Sequence, residues 1–154
     1  MKLYNSIGPN PQVVRMFIQE LGIDLESVEV DLMAGENRQQ DHLSRNPSGQ
    51  MPTLELDNGE FISEITVICD YLDEQHGYTD LIGKTPEDRA ETRMWTRRID
   101  LQIVEPLTNG FRFSEGHDFF KDRLRLIPQA ADDLKTLAQE RITWLDGQIE
   151  DKEF

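Results

Sequence analysis

The segment from Asn46 to Leu72, NPSGQMPTLELDNGEFISEITVICDYL, decides the fold of the first half of this chain. Polar and apolar residues alternate at positions 53–56, which predicts a strand, and the DNG tripeptide at 57–59 is typical of a hairpin turn into a second strand. From residue 65 onward apolar residues recur every three or four positions, which predicts a helix. The segment therefore predicts two paired strands followed by a helix.

Two positions in this segment predict a ligand site. A proline is tolerated in a strand only at its first residue, where the Met51-Pro52 bond can be cis and would turn the Met51 N–H and C=O outward. Ser63 is expected as the N-cap of the following helix. Glu64 then lies beside helix N–H groups that have no partner within the helix, where an acid can bind a ligand or simply complement the helix dipole. These features together predict a clamp for a small peptide-like ligand.

The residues before this segment predict a strand, a loop, a helix and a second strand. Lys2–Tyr4 reads as a short strand, and the GPNP sequence at 8–11 ends it. An apolar stripe at 14–21 predicts a helix that ends at Gly22, and residues 27–31 alternate as a strand does. With a short helix in the following loop, residues 1–76 predict β-α-β-α-β-β-α, which is the thioredoxin-like order.

The pattern changes from about Pro86 onward. Apolar residues there recur three and four positions apart with no strand pattern, which predicts an all-helical second domain at 87–154 joined by a linker at 77–86. The Asn109-Gly110 pair is expected to mark a kink or a loop in this region. The fold class is therefore an α/β thioredoxin-like domain followed by an all-α domain.

Charge and composition exclude several classes of function. The net charge is −14, with 4 Lys+Arg against 14 Asp+Glu in residues 1–76 and 12 against 16 in residues 77–154. Nucleic acid is not expected as a partner, because binding phosphates requires a cationic face. The single cysteine excludes an internal disulfide, and no run of 18 apolar residues or basic-apolar leader is present. These observations predict a soluble cytoplasmic protein without a membrane partner.

A metal centre and a catalytic cysteine are also not expected. His42, His76 and His117 are far apart in sequence and have no cysteine companion, so they do not match a metal-ligand spacing. Cys69 falls on the apolar face of the predicted helix at 65–72. It therefore reads as a small core residue and not as a nucleophile.

The motifs of residues 46–72 resemble those of the cytosolic glutathione S-transferases, in a bacterial-like class. In that family a proline after a hydrophobic residue pairs with the cysteinyl backbone of glutathione, and an acid at the next helix start binds the γ-glutamyl end. The resemblance implies that Gln50, Met51 and Pro52 form the first element and that Glu64 is the acid. Ile65 stands where the family has a serine, so it would bind through its backbone N–H.

The resemblance also implies that glutathione is a co-substrate whose thiol must be ionised. This requires lowering a thiol pKa by about two units, or roughly 3 kcal/mol. Many bacterial and plant members carry a serine for this purpose where this chain has Gly8. Asn10 is the preferred replacement donor and Ser6 the second, whereas Tyr4 is expected to point into the core. Asn10 can alternatively be the N-cap of the first helix, with Pro11 as its first residue.

The implied reaction is attack of the glutathione thiolate on an electrophilic substrate, without a metal. Three alternative functions remain: a non-catalytic binding or assembly domain of the same fold, a storage protein for apolar ligands, and a glutathione-dependent oxidoreductase. The last requires a cysteine in the 8–10 loop, which the sequence lacks. Measuring glutathione binding and turnover of several electrophiles separates these functions.

The family also implies homodimerisation and a longer second domain than this chain contains. The acidic first domain of one subunit is expected to meet an arginine-bearing helix of the other. Because family members continue into further helices, the second domain is expected to be incomplete, with Leu145 and Ile149 exposed. The arginines expected at the subunit contact are Arg89, Arg93, Arg97 and Arg98.

Overall fold

The computed structural model describes residues 1–152, which form two compact units, Met1–Arg89 and Ala90 onward. The last two residues of the predicted second domain, 87–154, lie outside the described residues. The predicted linker at 77–86 falls within the first unit.

The first unit is built on a four-stranded mixed sheet with the strand order β2-β1-β3-β4. β1 and β2 are parallel, whereas β3 is antiparallel to both β1 and β4. The predicted order β-α-β-α-β-β-α and the thioredoxin-like fold are confirmed. The elements are β1 (Lys2–Asn5), α1 (Pro9–Leu21), β2 (Glu26–Glu29), a 3₁₀ turn (Glu36–Arg38), α2 (Gln40–Arg45), β3 (Thr53–Glu55), β4 (Phe61–Ser63) and α3 (Ile65–Gln75).

The two faces of the sheet carry separate apolar clusters. Leu3 and Tyr4 are neighbours on β1 and therefore point to opposite faces. Leu3 packs with residues of α1 and α3 in the main core, whereas Tyr4 packs with Val30 and Met51. The buried residues of the main core are Leu3, Val14, Leu54, Ile68, Cys69, Leu72 and Ile82.

The starts of α1 and α3 differ by one or two residues from the sequence prediction. α1 begins at Pro9, which needs no N–H partner there, so Asn10 is already helical and is not the N-cap. α3 has Glu64 as its N-cap and not Ser63, because Ser63 still pairs with Thr53 in the β3–β4 ladder. The predicted end of α1 at Gly22 is confirmed, with Gly22 in the left-handed conformation.

A buried ion-pair cluster lies where α4 (Pro86–Ile99) begins. The Arg89 guanidinium lies 2.6 Å from Asp73, 3.1 Å from Glu74 and 3.3 Å from Asp70, and it stacks over the Tyr78 ring. The expectation that Arg89 faces a partner subunit is therefore wrong. Its charge is buried and already paired within the first unit.

The second unit is helical, as predicted. α4 passes through a π-helical segment, Asp100–Val104, into the helix α5 (Glu105–Phe113). Pro106 has no N–H to continue the α-helical pattern, which explains a change of hydrogen bonding at this point. The remaining helices are α6 (His117–Phe120), a 3₁₀ turn (Pro128–Ala130) and α7 (Ala131–Ile149).

Asn109 and Gly110 lie within α5 and therefore do not form the predicted loop. A Cβ on Gly110 would stand 2.7 Å from the Lys135 side chain and 3.1 Å from the Ala131 carbonyl. The glycine therefore permits close packing of α5 against α7 and does not end the helix. In α7, Ile149 is exposed as expected, whereas Leu145 is half-buried.

Candidate active site

Three chain segments meet at one edge of the sheet. Thr53 pairs with Tyr4 on one side and with Ser63 on the other, in antiparallel registers. The end of β1, the start of β3 and the end of β4 therefore lie side by side. Pro52 immediately precedes Thr53 and Glu64 immediately follows Ser63, so the ladder brings these two candidate residues together.

Glu64 occupies an unusual backbone conformation at this edge. Its φ of 73° and ψ of 127° place a residue with a Cβ in a region that favours glycine. Such a conformation costs about 1–3 kcal/mol and persists only where the surrounding structure imposes it. The Glu64 side chain is exposed and does not cap α3, so its carboxylate is available to a ligand.

The start of α3 offers backbone donors beside this carboxylate. The Glu64 carbonyl accepts the first helical hydrogen bond, from the Ile68 N–H at 2.9 Å. The preceding N–H groups of the first turn have no partner within the helix, and the helix dipole adds partial positive charge there. The Ile65 side chain packs against the main core, so Ile65 offers this edge only its backbone.

The loop before β3 presents the second group of candidates. Gln50 is exposed, whereas Met51 and Pro52 are buried, and the Met51-Pro52 peptide bond is cis. The Met51 side chain packs against Tyr4 and Val30 on one face of the sheet. This packing fixes the residue whose backbone is the predicted ligand contact.

The candidates for thiol activation lie in different environments. The Ser6 hydroxyl is buried and donates its hydrogen to the Val30 carbonyl at 2.6 Å, which ties β1 to the residue after β2. Asn10 is the second residue of α1 and is half-buried. Because Pro9 and Pro11 have no N–H, Asn10 is the only one of the first three residues of α1 with a backbone donor.

Gly8 has no side chain to donate to a thiol, and its backbone conformation explains why glycine occupies this position. Its φ is 118°, a conformation that residues with a Cβ rarely adopt. In the part of the chain that the structure describes, no atom outside Gly8 and its two chain neighbours lies within 4 Å of a Cβ built at this position. Conformation and not space therefore favours glycine at this turn.

Tyr4 and Cys69 are buried in the first unit. The Tyr4 hydroxyl donates to Glu55 at 2.8 Å, the Arg45 guanidinium lies over the ring, and burial raises the pKa of the phenol. Burial raises the pKa of the Cys69 thiol to about 12, which suits a core residue and not a nucleophile. Both placements agree with the sequence predictions.

Residues 1–152 contain neither a candidate metal site nor a candidate membrane span. No group of three or more His, Cys, Asp or Glu side chains is arranged to hold a metal ion in this range. None of the helices there is long and apolar enough to span a membrane.

Comparison with known proteins identifies the family. The family model for the glutathione S-transferase N-terminal domain matches residues 1–74. A glutathione S-transferase domain-containing protein from Marinobacter aquaeolei superposes with a TM-score of 0.90 and 31% identity, covering 100% of this chain and 77% of that chain. The chain belongs to the glutathione S-transferase family. The resemblance noted in residues 46–72 is thereby confirmed.

Two curated relatives of this glutathione S-transferase family member carry different names. Glutathione S-transferase 2 of Saccharomyces cerevisiae is 35% identical over 103 residues, which are 66% of this chain and 44% of the relative. A maleylacetoacetate isomerase of Pseudomonas aeruginosa is 34% identical over 112 residues, which are 71% of this chain and 52% of the relative. The chain spans about half the length of these curated relatives.

Sequence reasoning missed several polar residues around the candidate site of this glutathione S-transferase family member, of which Arg15 is half-buried and the others are buried. Arg15 of α1 donates to the Asn5 side chain at 2.6 Å and to the Ser6 carbonyl at 3.0 Å, which holds the end of β1. Asn37, His42 and Asn46 bond to the loop before β3. The turn-forming NPSG sequence at 46–49 is the one sequence feature that could have indicated Asn46.

Proposed function

We propose that this protein is a glutathione transferase that conjugates the thiolate of glutathione to a small electrophilic substrate. The observation that carries the proposal is the convergence of Glu64, the α3 N-terminus and the Met51 backbone at one sheet edge. Membership of the family supports glutathione as the ligand of this edge.

Each part of glutathione has a chemically suitable counterpart in this proposal. The γ-glutamyl ammonium pairs with the Glu64 carboxylate, and the γ-glutamyl carboxylate binds the backbone N–H groups at the start of α3, including that of Ile65. The cysteinyl backbone pairs with Met51, which Pro52 follows. The exposed Gln50 side chain borders the same ligand.

In this proposal Asn10 stabilises the thiolate of glutathione and so lowers the pKa of its thiol. Asn10 combines a side-chain amide with the one backbone N–H among the first three residues of α1, so it can donate two hydrogen bonds to a thiolate. Hydrogen bonds to a charged acceptor contribute about 1.5–3 kcal/mol each, which is the magnitude that a shift of two pKa units requires. Ser6 is the weaker candidate, because its hydrogen is bonded to Val30.

The reaction needs positioning and electrostatic stabilisation from the protein and no metal. The bound thiolate attacks an electrophilic carbon and forms a carbon–sulfur bond, while the leaving group departs or a conjugate anion takes a proton. The family resemblance further supports a cytoplasmic homodimer, with Arg93, Arg97 and Arg98 as the arginines near the subunit contact.

Glutathione titration calorimetry together with turnover assays tests this proposal. We expect Glu64→Ala to reduce affinity for glutathione at least tenfold without changing the far-UV circular dichroism spectrum, because it removes a carboxylate paired with an ammonium. Glu60→Ala is the matched control, since Glu60 is an exposed acid on the same hairpin. Equal affinity in wild type and Glu64→Ala would refute the clamp. Binding without turnover of any electrophile would favour the non-catalytic alternative.

A second candidate reaction is glutathione-dependent isomerisation. Its support is the similarity to the maleylacetoacetate isomerase of Pseudomonas aeruginosa reported above. The same thiolate would act, but glutathione would be released unchanged after each turnover. Following free thiol during turnover of maleylacetoacetate distinguishes the reactions: conjugation consumes one thiol per product, whereas isomerisation consumes none.

A further inference from the structure

Three buried side chains hold two consecutive carbonyl groups in the loop before β3. The Asn37 side chain donates to the Gly49 carbonyl at 2.6 Å. The Asn46 side chain donates to the Gln50 carbonyl at 2.9 Å, and His42 Nε2 lies 3.3 Å from the same oxygen. The three side chains belong to residues that are at most 5% exposed, so they contact the loop from its inner side.

Asn46 uses the full hydrogen-bonding capacity of its amide. Its Nδ2 group donates to the Gln50 carbonyl and to Thr53 Oγ1, the latter at 3.1 Å. Its Oδ1 accepts from the Ser48 N–H at 3.1 Å and from the Ser48 hydroxyl at 2.7 Å. Both N–H groups donate and the single oxygen accepts twice, so an amide matches every hydrogen-bonding partner at this position. A carboxylate of the same shape would place an oxygen against the Gln50 carbonyl.

The Gln50 carbonyl determines where the next backbone donor points. The peptide bond between Gln50 and Met51 is trans, so its C=O and N–H groups point in opposite directions within one plane. A carbonyl that Asn46 and His42 hold inward therefore turns the Met51 N–H outward. No regular strand or helix hydrogen bonds orient this peptide plane, because the loop lies between α2 and β3.

We propose that Asn46 is a positioning residue for glutathione, with His42 assisting it. Asn46 acts through the Gln50 carbonyl and sets the direction of the Met51 N–H, so that this donor meets the cysteinyl carbonyl of glutathione without reorganisation. A donor held in place before binding saves the ordering free energy that a mobile loop would lose on binding. The inference rests on the proposed function, since it assigns the Met51 N–H to glutathione.

The test compares two ligands and two variants by titration calorimetry. The ligands are glutathione and γ-glutamylcysteamine, which keeps the thiol and the γ-glutamyl group but lacks the cysteinyl carbonyl and the glycine. The variants are Asn46→Asp and Asn58→Asp, which add the same charge in the same unit. Asn58 is exposed in the β3–β4 turn, so its variant is the matched control.

We expect Asn46→Asp to lower affinity for glutathione about tenfold and affinity for γ-glutamylcysteamine less than twofold. Asn58→Asp should change neither value. An equal loss for both ligands would mean general damage to the site and would overturn the inference, as would full retention of glutathione affinity. Failure of the wild type to bind glutathione would overturn the proposed function as well.

A second pair of variants keeps the test decisive if Asn46→Asp does not fold. His42→Leu removes a donor to the Gln50 carbonyl, whereas His42→Gln keeps an N–H group near the position of Nε2. We expect the leucine variant to bind glutathione about threefold more weakly with γ-glutamylcysteamine unaffected, and the glutamine variant to recover the loss. Equal affinities of the leucine and glutamine variants for glutathione would overturn the inference.

Discussion

Asp73 and Arg89 form a buried ion pair in the first unit, with 2.6 Å between Oδ2 and Nη1. The other Asp73 oxygen accepts from the backbone and hydroxyl of Thr79, and Arg89 also donates to the Gly83 carbonyl. Burial alone would raise the pKa of Asp73, but the hydrogen bonds from Thr79 and Arg89 outweigh it and hold the pKa below its usual value. The pair thereby fastens α3 to the first turn of α4.

Breaking this pair should destabilise the first unit strongly. We expect Asp73→Asn to lower the free energy of unfolding by about 3–5 kcal/mol, because it leaves the Arg89 charge buried without its main partner. Urea unfolding at pH 7 measures the loss. Asp80→Asn is the control, since Asp80 pairs with Lys84 on the exposed surface, and it should cost less than about 1 kcal/mol. If both variants lost a similar amount of unfolding free energy, burial of the Asp73–Arg89 pair would not explain its contribution to stability.

The same pair predicts how the free energy of unfolding changes with pH in the acid range. Because the folded pKa of Asp73 is depressed, its contribution is fully present above the unfolded pKa of about 3.9 and is lost as the pH falls through the lower folded value. The unfolding free energy of Asp73→Asn should therefore vary less with pH below about 4 than that of wild type. Identical slopes in this range would contradict the assignment.

The strained backbone at Glu64 predicts a variant that gains stability and loses its ligand. Glycine accepts the observed φ of 73° freely, so Glu64→Gly should raise the free energy of unfolding by about 1 kcal/mol after its own entropic cost. Glutathione affinity should fall as in Glu64→Ala. Glu60→Gly on the same hairpin should show no such gain. A destabilised Glu64→Gly would mean that the conformation is not strained.

The sequence predicted the order of elements because each carried a local pattern. The alternation at 53–56, the DNG turn and the apolar stripes of α1 and α3 depend on neighbouring residues alone. The helix start at Glu64 could not be placed in this way, since it depends on the pairing of Ser63 with Thr53 in the ladder. Whether Ser63 ends a strand or caps a helix is decided by tertiary structure.

The contents of the candidate site were only partly predictable. Met51, Pro52 and Glu64 were predicted from a family motif that is contiguous in sequence. The contacts of Asn37, His42 and Asn46 arise only in the folded loop. The burial of Arg89 was missed for the same reason. Its acidic partners are 15 to 19 residues away, and helical spacing says nothing about them.

Two glycines with equally open surroundings should respond in opposite ways to alanine. Among residues 1–152, no atom beyond the glycine itself, its two chain neighbours and, for Gly147, its own helix backbone lies within 4 Å of a Cβ built at Gly8 or Gly147. Gly8 has a φ of 118°, whereas Gly147 lies within α7. We expect Gly8→Ala to lower the free energy of unfolding by at least about 1 kcal/mol and Gly147→Ala to raise it by about 0.5–1 kcal/mol. Denaturant unfolding of both variants measures this. Two shifts of the same sign would show that backbone conformation does not decide the outcome.

Asn10 and Ser6 should separate thiol activation from structural support. We expect Asn10→Ala to raise the pKa of the thiol of bound glutathione by about one unit, because it removes a side-chain donor to the thiolate, while glutathione affinity at low pH changes little. Thiolate absorbance near 240 nm during a pH titration measures the pKa. Gln19→Ala, at the exposed far end of α1, should leave it unchanged.

Ser6→Ala should behave in the opposite way, since the Ser6 hydroxyl donates to the Val30 carbonyl. The thiol pKa should stay at the wild-type value, while unfolding becomes about 1–3 kcal/mol easier because a buried carbonyl loses its donor. A raised thiol pKa in Ser6→Ala together with an unchanged one in Asn10→Ala would transfer the activating role to Ser6. If the thiol pKa changed in neither variant, the backbone N–H of Asn10 would be the remaining donor. Pro9 and Pro11 have no N–H group, and the Gln12 N–H already donates to the Gly8 carbonyl.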